Sequence, residues 1–233
     1  MKIKNAMKHL ISKYKHGVIL SYFFVYMLWF TYLERTITND SKFIHIYSRL
    51  DDLIPFMEIF IIPYFLWFLY IFVTVAYFFL TSKSEFYQIC AYLFIGMTIC
   101  LIIYTLWPNG HVLRVDIASL GRSNIFLDIL SRLYGFDTAT NVFPSIHVFN
   151  SIGAMIAIRK SERLRKLRWL QWSALILTIS ICLSTVFLKQ HSVLDIFGGI
   201  ALSLIMYVLI YVPSWGKVFR HEKPELSKAS QQG

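Results

Sequence analysis

Six apolar runs divide this chain, at about 17–33, 56–80, 86–107, 144–158, 169–188 and 193–212. Most reach the roughly 20 residues that cross a ~30 Å hydrocarbon layer at 1.5 Å per residue. The fourth is short and reaches full length only if Asn141 to Pro144 lead straight into it. The predicted fold class is therefore all-α: a polytopic membrane protein with six transmembrane helices. In the long loop 108–143, Ile125, Phe126, Ile129, Leu130 and Leu133 recur at helical spacing. They predict a short amphipathic helix on the outer membrane surface, with Gly135 as its stop.

The polar segments set boundaries and orientation. Residues 1–16 form a basic amino-terminal stretch, 17–212 the membrane domain, and 213–233 a polar tail expected to be at least partly disordered. The first run resembles a signal-peptide core, but Glu34-Arg35 follow it in place of a small-residue cleavage site, so it reads as an uncleaved span. Lys83, the basic cluster from Arg159 to Arg168 and both ends of the chain carry most of the positive charge. The positive-inside rule then puts both termini in the cytoplasm and the loops 35–54, 108–143 and 188–192 outside, in a multi-pass protein of the cell membrane.

Composition agrees with this reading. The chain is 57% hydrophobic and 15% charged, against about 25% charged in soluble domains. Its net charge of +10 could suggest nucleic acid, but the Lys and Arg lie between apolar runs, where they act as a topology signal. Cys90, Cys100 and Cys182 all fall within apolar runs and show no metal-type spacing. Near the second run, Pro55 suits a helix start and Pro63 a kink. Glu58 lies just inside the apolar region. It is either a functional carboxylate or a hydrated interfacial one, with Arg35 or Arg49 as partner.

The candidate chemistry gathers at the predicted outer face, in three stretches: Trp107 to Arg114, Asn141 to His147, and Ser184 to Asp195. His191 and Asp195 are four residues apart and share a helix face, so the carboxylate can fix the imidazole tautomer and leave the other nitrogen free. His147 sits at the start of a helix behind Pro144-Ser145, where free N–H groups suit a phosphate. With Arg114 and Lys189 nearby, two imidazoles and cations fit phosphoester cleavage without a metal or other cofactor.

These residues resemble the type 2 phosphatidic acid phosphatase superfamily of membrane lipid phosphatases and phosphotransferases. That family carries Lys-x6-Arg-Pro, Pro-Ser-Gly-His and Ser-Arg-x5-His-x3-Asp. Here the second motif stands as Pro144-Ser145-Ile146-His147, and the third as Ser184-Thr185-x5-His191-x3-Asp195. The first retains Arg114, with Trp107 in place of Lys and Val115 in place of Pro. The resemblance covers roughly residues 50–212, and its wording is closest to the branch that includes inositol phosphorylceramide synthases. It implies a lipid phosphate substrate and a phospho-histidine on His191. It also implies that Asp195 orients His191 and that His147 is the acid and then the base. Arg114 and Ser145 would bind phosphoryl oxygens. Lys189 is expected to replace one missing cation, with Arg122, Arg132 or His111 as further candidates and Glu58 as an additional site residue.

Three alternatives carry distinct expectations. A metal hydrolase would use His147, His191, Asp195 and His111 as ligands, but no HExxH-like pair exists and Arg114 and Lys189 would oppose a dication. A phosphotransferase would use the same covalent intermediate with an alcohol acceptor. A non-catalytic lipid-binding relative would explain the eroded first motif. The substrate lipid and the oligomeric state are not written in the sequence.

Overall fold

The computed structural model describes residues 14–37 and 42–212. The residues 1–13, 38–41 and 213–233 lie outside it, and with them most of the basic amino-terminal segment and the whole predicted tail. Within the described residues the fold is an all-α bundle. Helix α1 (Tyr22–Thr36) continues a 3₁₀ turn at Lys15–Ser21. After it come α2 (Arg49–Leu53), α3 (Ile61–Thr81), α4 (Lys83–Leu106) and α5 (Ile125–Phe136). The last three are α6 (Ile146–Lys160), α7 (Arg168–Phe187) and α8 (Val193–Tyr211). Each predicted run matches a helix to within a few residues, because hydrophobic length is a local property of the chain.

Five of these segments are long and apolar enough to cross a membrane: Lys15–Thr36, Glu58–Thr81, Lys83–Leu106, Arg168–Phe187 and Val193–Tyr211. The sixth, α6, is different. Asn141 to Ser145 are not helical, so α6 keeps only its 15 residues, roughly 22 Å of rise. It packs against α3, α4, α7 and α8 as the centre of the bundle. Its small residues allow this. A Cβ at Gly153 would stand 2.3 Å from the Tyr92 ring, and one at Gly96 would stand 2.0 Å from Phe149. Tyr92 and Phe149 themselves stack with centroids 4.9 Å apart. Close approach through small residues is the usual way that helices pack where apolar burial alone gives no preference.

Three local expectations change. Pro55 starts no helix: it lies in the non-helical stretch between α2 and the 3₁₀ turn at Glu58–Phe60. Pro63 is the third residue of α3, in the first turn and not in mid-span where a kink would form. In the first helical turn its missing N–H would have had no intrahelical partner. Gly135 does not stop α5, which runs on to Phe136 before Asp137 turns extended. Helix α5 buries Leu127 and Leu130 while Ile125, Ile129 and Phe136 stay exposed. Leu130 shares a small core with Ile61, Tyr64 and Leu188, so α5 lies over one end of α3 and α7.

The segments predicted to share the outer face do meet at one end. Strand β1 (Ile44–His45) pairs in parallel with β2 (Asn109–Gly110), and Gly110 bridges Thr140. Glu34, at the end of α1, accepts hydrogen bonds from Thr138 N (3.0 Å), Thr138 Oγ1 (2.6 Å) and Asn141 Nδ2 (2.9 Å). The end of the bundle that carries Lys83 and Lys160 lies opposite. There His16 rests against Phe79, and Lys160 sits over the Tyr207 ring.

Candidate active site

His147 owes its place to a buried asparagine. Asn109 is fully buried, and its Oδ1 accepts from Val142 N (3.0 Å) and Phe143 N (2.8 Å). Its Nδ2 donates to the Trp107 carbonyl (2.9 Å) and the Phe143 carbonyl (3.3 Å). Asn141 takes φ 58°, a left-handed conformation that Asn tolerates well. Tyr104 then donates to the Pro144 carbonyl at 2.6 Å, and the Ser145 N–H donates to the Asp195 carbonyl at 3.1 Å. Ser145 caps α6, accepting from Val148 N with its hydroxyl. His147 therefore projects from the first turn of α6. Its ring lies 4.7 Å from that of Tyr64 and 4.4 Å from that of Trp67.

The second histidine is set by the end of α7 and the cap of α8. The Thr185 carbonyl accepts from both Gln190 N (2.9 Å) and His191 N (3.0 Å), with Lys189 left-handed at φ 53° between helix and loop. Ser192 and Asp195 form a capping box at the start of α8. Asp195 Oδ2 stands 3.1 Å from His191 Nδ1 and also accepts from Ser192 N at 2.9 Å. Asp51 holds this corner from a distant part of the chain. It accepts from Ser192 Oγ (2.7 Å), Val193 N (2.8 Å) and Ser48 N (2.8 Å). The result is that the His147 and His191 rings lie edge to face with centroids 5.7 Å apart.

The other sequence-nominated residues are engaged elsewhere. Arg114 donates from Nη1 to the carbonyls of Tyr134 (3.1 Å) and Asp137 (2.6 Å). From Nη2 it donates to the Thr138 carbonyl (2.9 Å) and to Gln190 Oε1 (2.6 Å), and it covers the Tyr134 ring. Lys189 Nζ donates to the carbonyls of Asp51 (2.7 Å) and Ile54 (2.6 Å). His111 accepts from Leu113 N at Nδ1, so its protonated Nε2 donates to the Gln190 carbonyl at 2.7 Å. Glu58 pairs with Arg122 (2.8 Å) and Asn124 (3.1 Å), not with Arg35 or Arg49, because α5 folds back over the start of α3. Arg132 is exposed. Among the described residues, no cluster of three His, Cys, Asp or Glu side chains is arranged to hold a metal ion.

Comparison with protein families identifies the pattern. Residues 123–218 match the model of the PAP2 superfamily. No curated protein and no solved structure matches the chain. The PAP2 match spans α5 to α8 and contains His147, His191 and Asp195. Arg114 and the degraded first motif lie before it. This match supports an enzyme of the lipid phosphatase or phosphotransferase type, carried in a membrane-embedded helical bundle.

The electrostatics of the site favour a neutral imidazole in the loop that carries His191. Burial, then the charge of Arg114, pull His191 well below the usual histidine range, opposed by the Val142 carbonyl. Burial likewise takes His111 down to about 4. Asp137 is pushed up to about 6, first by burial and then by Glu34, with Arg114 and the Tyr64 hydroxyl opposing. Lys189 is lowered by burial, while Asp51 and Asp52 oppose.

Sequence reasoning gave no role in the site to Asn109, Asp51, Gln190, Tyr64, Trp67 or Asp137. Asp51 and Asn109 left a faint signal, as polar residues beside apolar runs. The rings of Tyr64 and Trp67 left none, since aromatics are expected throughout a span.

Proposed function

We propose that this protein is an integral-membrane lipid phosphatase that hydrolyses a phosphomonoester or diphosphate of a lipid through a phospho-histidine, without a metal. The observation that carries the reading is the pair of imidazoles 5.7 Å apart, one of them held at Nδ1 by Asp195. In this reading the free nitrogen of His191 attacks phosphorus and the bond to the lipid oxygen breaks. His147 gives that oxygen its proton. His147 then takes a proton from water, whose oxygen attacks the phospho-histidine and releases inorganic phosphate and neutral His191. Asp195 fixes the tautomer and balances the charge gained by His191. The amides of the first α6 turn, which have no partners within the helix, face the phosphoryl oxygens together with Ser145.

A lipid substrate suits the surroundings. An apolar groove of about 490 Å³ runs between α3 and α7, lined by Pro63, Leu66, Ile176 and Leu177. On the neighbouring face of α3, Tyr64 and Trp67 touch His147. The protein is proposed to lie in the cell membrane with both termini cytoplasmic and this site outward.

One observation favours headgroup transfer as a second reading. Trp107 and Thr185 replace two family cations, and Arg114 and Lys189 are tied to carbonyl oxygens. A phosphodiester carries one charge and needs less compensation than a phosphomonoester dianion. Purified protein incubated with a panel of phosphatidates, prenyl diphosphates and phosphodiester lipids, with chelator present, tests both. Hydrolysis releases phosphate, while transfer yields a new lipid only when a lipid alcohol is added. Folded H191A and H147A proteins that retain turnover would refute the histidine mechanism.

A further inference from the structure

Gln190 precedes His191, and three of its own four hydrogen-bonding groups are engaged. Its backbone N–H donates to the Thr185 carbonyl and its own carbonyl accepts from His111 Nε2. Its side-chain Oε1 accepts from Arg114 Nη2 at 2.6 Å. Arg114 is donor-only, so this contact fixes which end of the amide is which. The remaining end, Nε2, is buried and has no acceptor among the described residues, in a side chain only 3% exposed. The Nε of Arg114 is a second buried donor in the same condition.

Two buried donors without acceptors, one on the residue before a histidine and one on the arginine that grips that residue, call for a ligand that only accepts. The oxygens of a phosphoryl group are such a ligand, and a buried unmet donor is otherwise costly. We propose that the Gln190 side-chain amide, held and polarised by Arg114, donates a hydrogen bond from Nε2 to a non-bridging oxygen of the phosphoryl group that His191 attacks. Arg114 and His111 then serve the same end, since both grip the residue that presents the donor. Arg114 acts on the phosphoryl group chiefly through the amide, as a charge-assisted hydrogen bond passed along one link. The inference rests on the reading of the site as a phosphoryl-transfer centre and assigns a role to an unspecified position inside the third motif, the one just before His191.

Orthovanadate, an inorganic mimic of the phosphoryl group in flight, is the probe. Its binding is read as a rise in melting temperature of the detergent-solubilised protein, followed by Trp fluorescence, and as inhibition where turnover is found. Two variants are compared with the wild type. Gln190→Met removes the donor at nearly constant volume. Gln190→Glu keeps the acceptor for Arg114, so it preserves the local structure, but it turns the donor into an oxygen that repels the anion. Both are expected to weaken vanadate binding by about 10-fold or more and to lower kcat by about 100-fold. Wild-type-like vanadate affinity in folded Gln190→Glu would overturn the proposal, even if Gln190→Met melted early. If the wild type neither binds vanadate nor turns over any lipid phosphate, the phosphoryl-transfer reading itself fails and this inference falls with it. Vanadate binding by the wild type that neither variant weakens would sink the Gln190 assignment alone.

Discussion

Asp51 offers the sharpest test of how the site is held. It is buried, it lies far along the chain from the histidines, and it is not expected to touch substrate. Its carboxylate accepts three hydrogen bonds, from Ser48 N, Ser192 Oγ and Val193 N. In Asp51→Asn the amide oxygen can serve only one side. With the oxygen kept toward Ser48 and Ser192, the new NH₂ faces the Val193 N–H, donor against donor. One charge-assisted bond is lost and a buried amide is left unmet, a cost of about 2 kcal/mol. For a chain of this length that corresponds to a fall in Tm of about 4–8 °C. The loss falls on the first turn of α8, which carries Asp195, so turnover should drop by about tenfold through misplacement of His191. The assay is thermal unfolding in detergent together with phosphate release. Asp52→Asn is the control, because Asp52 is exposed and, among the described residues, accepts from the Tyr47 hydroxyl alone. If Asp51→Asn melted within about 1 °C of the wild type with unchanged turnover, the cap would not be what positions the pair.

Other expectations follow from the same geometry. Asp195→Asn should cut turnover by about 1,000-fold while the protein stays folded, since a neutral amide neither fixes the tautomer nor balances imidazolium charge; retention of a tenth of the activity would argue against the role. Lys189→Ala should lower Tm by releasing the Asp51 and Ile54 carbonyls yet leave vanadate affinity within about threefold, and a larger loss would mean that the ammonium reaches the phosphate. Asp137 titrates near 6 in the fold against an ordinary value of 3.8, so the folded state binds more protons and loses stability as pH rises through that window. Asp137→Asn should therefore melt higher than the wild type at pH 7 and equally at about pH 4; a gap that widens on acidification would reverse the sign. A pH–rate profile that is flat from about 5 to 9 under chemistry-limited conditions would count against a neutral nucleophile working with a protonated acid.

The spans were legible because hydrophobic length is written locally. All six runs became helices, and the motifs named His147, His191 and Asp195, which the fold then brings together. The roles of the cations were not legible. Arg114 looked like a phosphate ligand by its place in a degraded motif, yet four hydrogen bonds tie it to loop carbonyls and Gln190. Lys189 looked like a replacement cation, yet it caps the carbonyls of Asp51 and Ile54. Both fill a need that spacing does not reveal: loops that fold over the bundle expose carbonyl groups that must find donors, those of Tyr134, Asp137 and Thr138 for Arg114 and those of Asp51 and Ile54 for Lys189. Glu58 illustrates the same point, since its partner Arg122 became a neighbour only when α5 folded back.

From the sequence alone came the helical class, the places where the chain enters and leaves its apolar layer, and the polar residues concentrated at one end. Tertiary structure decided which of those polar residues face one another. It placed the short α6 at the centre, brought Asp51 to Ser192 across 141 positions, and set Arg114 on Gln190 across 76. The difference has a physical origin. Burial follows from each residue's own free energy of transfer and repeats along a helix, whereas a hydrogen bond requires two groups within about 3 Å. For residues so far apart in the chain, only the packed bundle supplies that distance.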